Sequence, residues 1–429
     1  MENGTFFASQ PLSATGWIFT SSPKQWLPYA LGVLIGYPLL VRSLRYQRLN
    51  NMKKKYQFTT RQSMGKMTDE EAYAIQKEIG TLEFPFMYVK ALQFALFRTY
   101  GIPSVSHVLT KTTQFSNPST SLKRYADTVA LVNEMVGNSP TSQRAFISLA
   151  RTRFLHSKYR ADGRILESDM LYTLALFALE PIKFVRRFEW RQMSDLELCA
   201  IGTFWKSVGD ALGISFEGLP SGRSNASGFK DGIQWLEEID AWCDGYEKEC
   251  MVPDVKNRET ADQTTAILLY MLPTMFHPVG LQFVSFMMDD RLRKAMLYDP
   301  PTPFWTSVFS TLLTTRKLFI RYFMLPRPEF LKIVNMSKQP EADNRFFSFN
   351  WDAAPYYVKP TFWNRWGPMA WLTWALGRPV PGDEGDKYYP SGYHIQDIGP
   401  RYFEGKGQQA IDETMEELKI VRTGKCPFH

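Results

Sequence analysis

The chain has 429 residues, of which 44% are hydrophobic and 15% aromatic, enough for one large domain or two with a substantial apolar core. The net charge is +7, but six basic residues (Arg42, Arg45, Arg48, Lys53, Lys54, Lys55) account for all but one of those charges, so the body is nearly neutral and no nucleic-acid surface is expected. Four cysteines without CxxC spacing exclude a disulfide scaffold and fit a reducing compartment.

Residues 1–23 read as a short tail, with an Asn3-Gly-Thr5 sequon close to its start. An uncharged run of 16 residues follows, Trp26 to Val41, within a segment 24–41. As a helix it would span about 24 Å at ~1.5 Å per residue, against a hydrocarbon core of about 30 Å. It reads as a transmembrane anchor, with a membrane-surface helix as the alternative. A secretory signal is disfavoured, because positive charge follows the apolar run instead of preceding it. The basic segment 42–65 then places the body in the cytosol and the tail in the lumen.

Residues 66–335 carry helical periodicity. Thr68-Asp-Glu-Glu71 reads as a helix start. Leu122, Tyr125, Val129, Val132 and Val136 recur at steps of three and four, giving one buried stripe that Gly137-Asn-Ser-Pro140 ends. Ser142 opens the next helix, which carries His156 and stops at Gly163. Ser168 or Asp169 begins a third, expected to end before Pro181. Ser194-Asp-Leu-Glu197 is a capping box, and Leu219–Gly228 is a loop. Thr260–Met296 is a helical pattern interrupted at Pro273 and Pro278. Phe304–Met324 and Phe362–Trp374 are expected as core helices, with membrane contact as the alternative for each. Residues 336–429, rich in Pro, Gly, Trp and Tyr, read as irregular backbone wrapped on the core. Alternating strand patterns are absent. The fold class expected is mainly α: one large helical domain with an N-terminal transmembrane helix and an irregular C-terminal wrap.

Several chemistries lack their motifs. There is no HExxH, Ex₂H or CxxCH, no GxSxG elbow, and no GxGxxG or GxxxxGK loop; Gly405–Ala410 is a degenerate match that follows no strand. Two segments remain. Arg124 and Thr128 share a helix face at i,i+4. His156 lies between Arg153 and Arg160 on a second helix. An imidazole with cationic neighbours can ligate a haem iron while guanidinium groups meet the propionates, or it can be an ordinary hydrogen-bonded residue of the core.

The Arg124–Thr128 pair with downstream His156, together with Leu82–Met87, Asp195–Lys206 and Arg422–His429, resembles the catalytic domain of the MpaB-type and rubber oxygenases. The resemblance covers most of the chain from about Lys54 to His429. It implies a noncovalent haem b held by His156 as axial ligand, with Arg124, Arg153 and Arg160 as haem-binding residues and dioxygen as co-substrate. Arg124 and Thr128 would be catalytic, Arg124 stabilising anionic oxygen or a propionate and Thr128 orienting bound water or oxygen. The reaction implied is oxidative cleavage of a C=C bond in the prenyl (farnesyl) chain of a secondary-metabolite intermediate, as in mycophenolic acid biosynthesis. The setting implied is the endoplasmic reticulum membrane, single-pass, beside other pathway enzymes. Two departures stand out. The lysine that the rubber oxygenases carry next to the threonine is Asp127 here, and the stretch from Phe84 to Lys123, where their proposed glutamate base would fall, holds no carboxylate. The contrasting expectation is a membrane-tethered helical scaffold without chemistry.

Overall fold

The structure, a computed structural model, describes residues 23–112, 118–341 and 343–429. The sequon and nearly all of the tail lie outside the described residues. The described chain forms seventeen α-helices and no strands, so it is mainly α-helical. The first five are α1 (Pro23–Tyr56), α2 (Arg61–Met64), α3 (Asp69–Glu78), α4 (Pro85–Thr99) and α5 (Pro103–Lys111). Then come α6 (Pro118–Gly137), α7 (Gln143–Ala161), α8 (Glu167–Phe188), α9 (Asp195–Ala211) and α10 (Gly232–Cys250). α11 (Val255–Leu268), α12 (His277–Met287), α13 (Asp290–Ala295) and α14 (Pro303–Tyr322) follow, and α15 (Phe362–Trp366), α16 (Pro368–Ala375) and α17 (Gln408–Val421) lie in the C-terminal part.

Local chemistry sets most helix starts. Thr68 and Ser194 close capping boxes with Glu71 and Glu197, and Ser142 caps α7 by accepting from the Ala145 amide. Tertiary packing overrides local preference in α8. The expected stop before Pro181 does not occur; α8 continues to Phe188 with Pro181 inside it. Proline removes one backbone donor, but Leu176, Ala178 and Leu179 before it and Ile182, Phe184 and Val185 after it are all buried, and their burial outweighs that loss. α8 packs along α4, α9 and α10, and α9 along α3. At the α9–α10 crossing the backbones nearly touch: a Cβ on Gly202 would lie 2.0 Å from the Gly232 carbonyl oxygen.

The C-terminal part contains three isolated bridges and a tyrosine cluster (Tyr356, Tyr357, Tyr388, Tyr393) packed on Ala130 and Leu131 of α6. It is pinned to α7 by the buried Arg151, whose guanidinium donates to the carbonyls of Ile398 (2.9 Å), Lys406 (2.8 Å) and Phe403 (3.0 Å).

Two surface features depart from expectation. α14 is not a core helix: only Phe309 and Ile320 are buried along it. Likewise α15 and α16 bury only Ala370 and Thr373, leaving Phe362, Trp363, Trp366 and Trp371 exposed. The transmembrane crossing expected over 24–41 also needs correction. That run is the first half of α1, and among the described residues no helix is long and apolar enough to cross a membrane. Its proline, glycine and tyrosine residues dilute the hydropathy of a stretch bounded by Lys24 and Arg42. Its side chains from Leu31 to Leu40 are nevertheless almost all exposed, and burial begins at Val41.

Candidate active site

A cavity of about 300 Å³ lies among α4 to α9, closed on one side by Pro400–Phe403. Its walls are mostly apolar: Leu96, Val105, Val108, Leu109, Leu131, Val132, Leu155, Phe177, Trp205 and Val208 all line it. The sequence places polar groups here sparingly. Arg124 and Thr128 project from α6 and His156 and Tyr159 from α7, because the two helices pack side by side with these faces inward.

The His156 imidazole is the most unusual group. Its Nδ1 is shut off from solvent and, among the described residues, has no hydrogen-bond partner. Burial, reinforced by the positive charges of Arg124 and Arg160, lowers its pKa to about 4. The ring is therefore neutral near pH 7, the form in which histidine ligates a metal. Buried polar atoms in folded proteins are rarely left unbonded, so an orphaned imidazole nitrogen on a cavity wall points to a ligand.

Arg124 donates from Nη1 to Thr128 Oγ1 at 2.5 Å, and that hydroxyl donates back to the Arg124 carbonyl at 2.9 Å. Thr128 therefore holds the guanidinium while its own proton is spent within the helix. Among the described residues Arg124 has no carboxylate partner, which leaves its charge available to an anion in the cavity.

Arg153 and Arg160, expected beside the same group, are not brought to the cavity wall. Arg153 pairs with Glu417 of α17 at 3.0 Å. Arg160 pairs with Glu167 at 2.7 Å and donates to the carbonyls of Leu212 and Gly213 beyond α9. Arg164 lines the cavity in their stead, its guanidinium 4.9 Å from the Tyr159 ring centre and ion-paired to Asp162. Asp127 does not face the cavity. It is buried between Lys123 (3.1 Å) and the Tyr357 hydroxyl (2.5 Å), and burial raises its pKa.

Sequence reasoning missed other lining groups. Among the described residues Asp169 is the one carboxylate on the wall; it accepts from Ser104 Oγ at 2.9 Å and from the Tyr246 hydroxyl at 2.7 Å. Its place in the first turn of α8 reads in sequence only as a helix-start residue. Tyr100 and Tyr402 also line the cavity, each with its pKa pushed up to about 12, chiefly by burial. Nothing in their spacing separates them from core aromatics.

No family model matches the chain. It is 67% identical over 408 residues to the ER-bound oxygenase mpaB' of Penicillium brevicompactum, covering 95% of this chain and 96% of that one. It is 60% identical over 378 residues to the ER-bound oxygenase mpaB of the same species, covering 88% of this chain and 89% of the relative. With the ER-bound oxygenase mpaB of Penicillium roqueforti it shares 66% identity over 299 residues, 70% of this chain and 99% of that protein.

Proposed function

The chain belongs to the MpaB family of ER-bound oxygenases, and on that premise we propose that it is a haem-dependent oxygenase cleaving a C=C bond in the prenyl (farnesyl) chain of a secondary-metabolite intermediate of the mycophenolic acid type. The single observation that carries the haem reading is the orphaned, neutral imidazole of His156 on the wall of an apolar cavity.

These residues fit a noncovalent haem b. His156 would hold the iron, and Arg124, which has no ion-paired carboxylate among the described residues, would meet a propionate or an anionic oxygen. When bound, the haem supplies activation of dioxygen as co-substrate. The rest falls to the chain. Leu96, Val105, Val108 and Val132 exclude water and bind a prenyl tail, at roughly 0.8 kcal/mol for each CH₂ buried. Thr128 fixes the Arg124 guanidinium, so the charge is oriented before reaction rather than during it. The exposed apolar stretch of α1, Leu31 to Leu40, enters the ER bilayer, and the basic residues after it keep the body on the cytosolic side.

The test is spectroscopic. Purified full-length protein should be red, with a Soret band at one haem per chain, and should consume dioxygen with a farnesylated substrate. His156→Ala should lose haem and turnover while its helical circular dichroism persists. A colourless wild-type protein, or a His156→Ala variant with full haem and an unchanged spectrum, would overturn the reading and leave a tethered scaffold as the better account.

A further inference from the structure

The exposed apolar surface of α1 does not stand alone. α14 runs beside it, and its last turns reach the level where α1 leaves the body. The Tyr37 hydroxyl donates to the Phe323 carbonyl at 3.0 Å. Arg45, buried at the foot of the apolar half, donates to the carbonyls of Met324 (2.7 Å) and Leu325 (3.3 Å). Lower down, Arg316 is anchored to Glu189 at 2.8 Å, so the two turns from Lys317 onward rise along α1 from a fixed base.

This tip is apolar where solubility would call for polarity: Phe319 is 54% exposed, Phe323 45% and Met324 47%. Large apolar side chains clustered at one surface mark a binding face. The charge around the tip is of one sign. Residues 303–328 and 23–56 contain no Asp or Glu, while Lys317 and Arg321 lie on the last turns of α14 and Arg42 lies on α1 between Tyr37 and Arg45, which bond the tip; among the described residues none of the three has an ion-pair partner. An apolar tip collared by unpaired cations matches an anionic phospholipid surface, with acyl chains below and phosphates at the collar. A protein partner would need carboxylates to answer those charges, whereas the bilayer already adjoins the neighbouring half of α1.

We propose that the α14 tip, Phe319 to Met324, is a second membrane-insertion element that dips into the same leaflet as α1. This inference rests on the ER-bound reading above. It adds that the body touches the bilayer at a defined place and is not merely tethered to it.

The experiment uses the full-length protein with Cys250 and Cys426 changed to serine, leaving only the two buried cysteines. A single polarity-sensitive fluorophore is placed at Phe323→Cys, at Leu34→Cys in α1, or at Ile420→Cys on α17, which is 79% exposed. Each protein is mixed with phosphatidylcholine vesicles containing phosphatidylinositol. Emission is read with spin-labelled lipid and with aqueous iodide as quenchers. The expected result is a blue shift and lipid quenching at both Leu34→Cys and Phe323→Cys, shallower at the latter, with Ile420→Cys quenched by iodide only. If the protein floats with vesicles and Leu34→Cys is lipid-quenched while Phe323→Cys stays open to iodide, the tip proposal fails and the ER-bound reading stands. If the protein does not float at all, the ER-bound reading fails and takes the tip proposal with it.

Discussion

A neutral imidazole walled into an apolar site leaves a thermodynamic trace. In the folded chain burial lowers the His156 pKa to about 4, whereas in the unfolded chain it takes a proton near its ordinary value of 6.5. Between those two values the unfolded state binds more protons, so stability falls as pH falls from about 6.5 toward 4 and is unaffected above that window. The total is on the order of 3 kcal/mol. Denaturant titrations of wild type and His156→Phe should give a stability difference that is constant above pH 7 and shifts in favour of the variant as pH drops to 4.5; a constant difference throughout would contradict it. Thr128→Val tests the neighbouring pair. The change is nearly isosteric but removes the acceptor that holds Arg124 Nη1. Haem content should stay at the wild-type level while turnover drops roughly tenfold or more, within the range seen when a preorganised donor is lost. Unchanged turnover would mean that the hydroxyl serves only its own helix. Helix spacing in the sequence was enough to put Arg124 and Thr128 on one face, and the structure brings that face and His156 to one cavity wall. Spacing does not say where Arg153 and Arg160 reach: a guanidinium on a long stem goes where its tertiary partner is, and Glu417 and the carbonyls after α9 lie far away in sequence.

At the scale of elements, the closest fit is between α9 and α10. α9 delivers Trp205 and Val208 to the cavity, and Gly202 lets its backbone lie against Gly232. Gly202→Ala places a methyl group where backbone already stands, so the helices must part. The cost should be at least the 1–3 kcal/mol typical of overpacking, read as a lower urea midpoint with an unchanged slope. Normal stability would show that the crossing yields more easily than the geometry implies. Helix starts at Thr68, Ser142 and Ser194 were readable, since a cap is a local interaction between residues three apart. The course of α8 through Pro181 was not, because the burial that carries it past the proline comes from other helices. α14 was misjudged for the converse reason: apolar composition alone does not say which neighbours exist to bury it.

For the molecule as a whole, the proposed orientation on the ER rests on the basic residues that follow the apolar half of α1. Sealed microsomes carrying the full-length protein should lose the body to added protease, and should retain at most a short fragment. Full protection of the body would reverse the orientation.

α1 also carries Pro38 just before the point where it meets the body, a place where helices bend. The bonds from Tyr37 and Arg45 to the end of α14 lie on either side of that proline and act as a splint across it. With the apolar half in a bilayer, the body cannot swivel on a loose joint; it keeps one inclination and turns only about the membrane normal. On the proposed reading, a prenyl chain dissolved in the same leaflet would meet the site by a search in two dimensions, always from the same side.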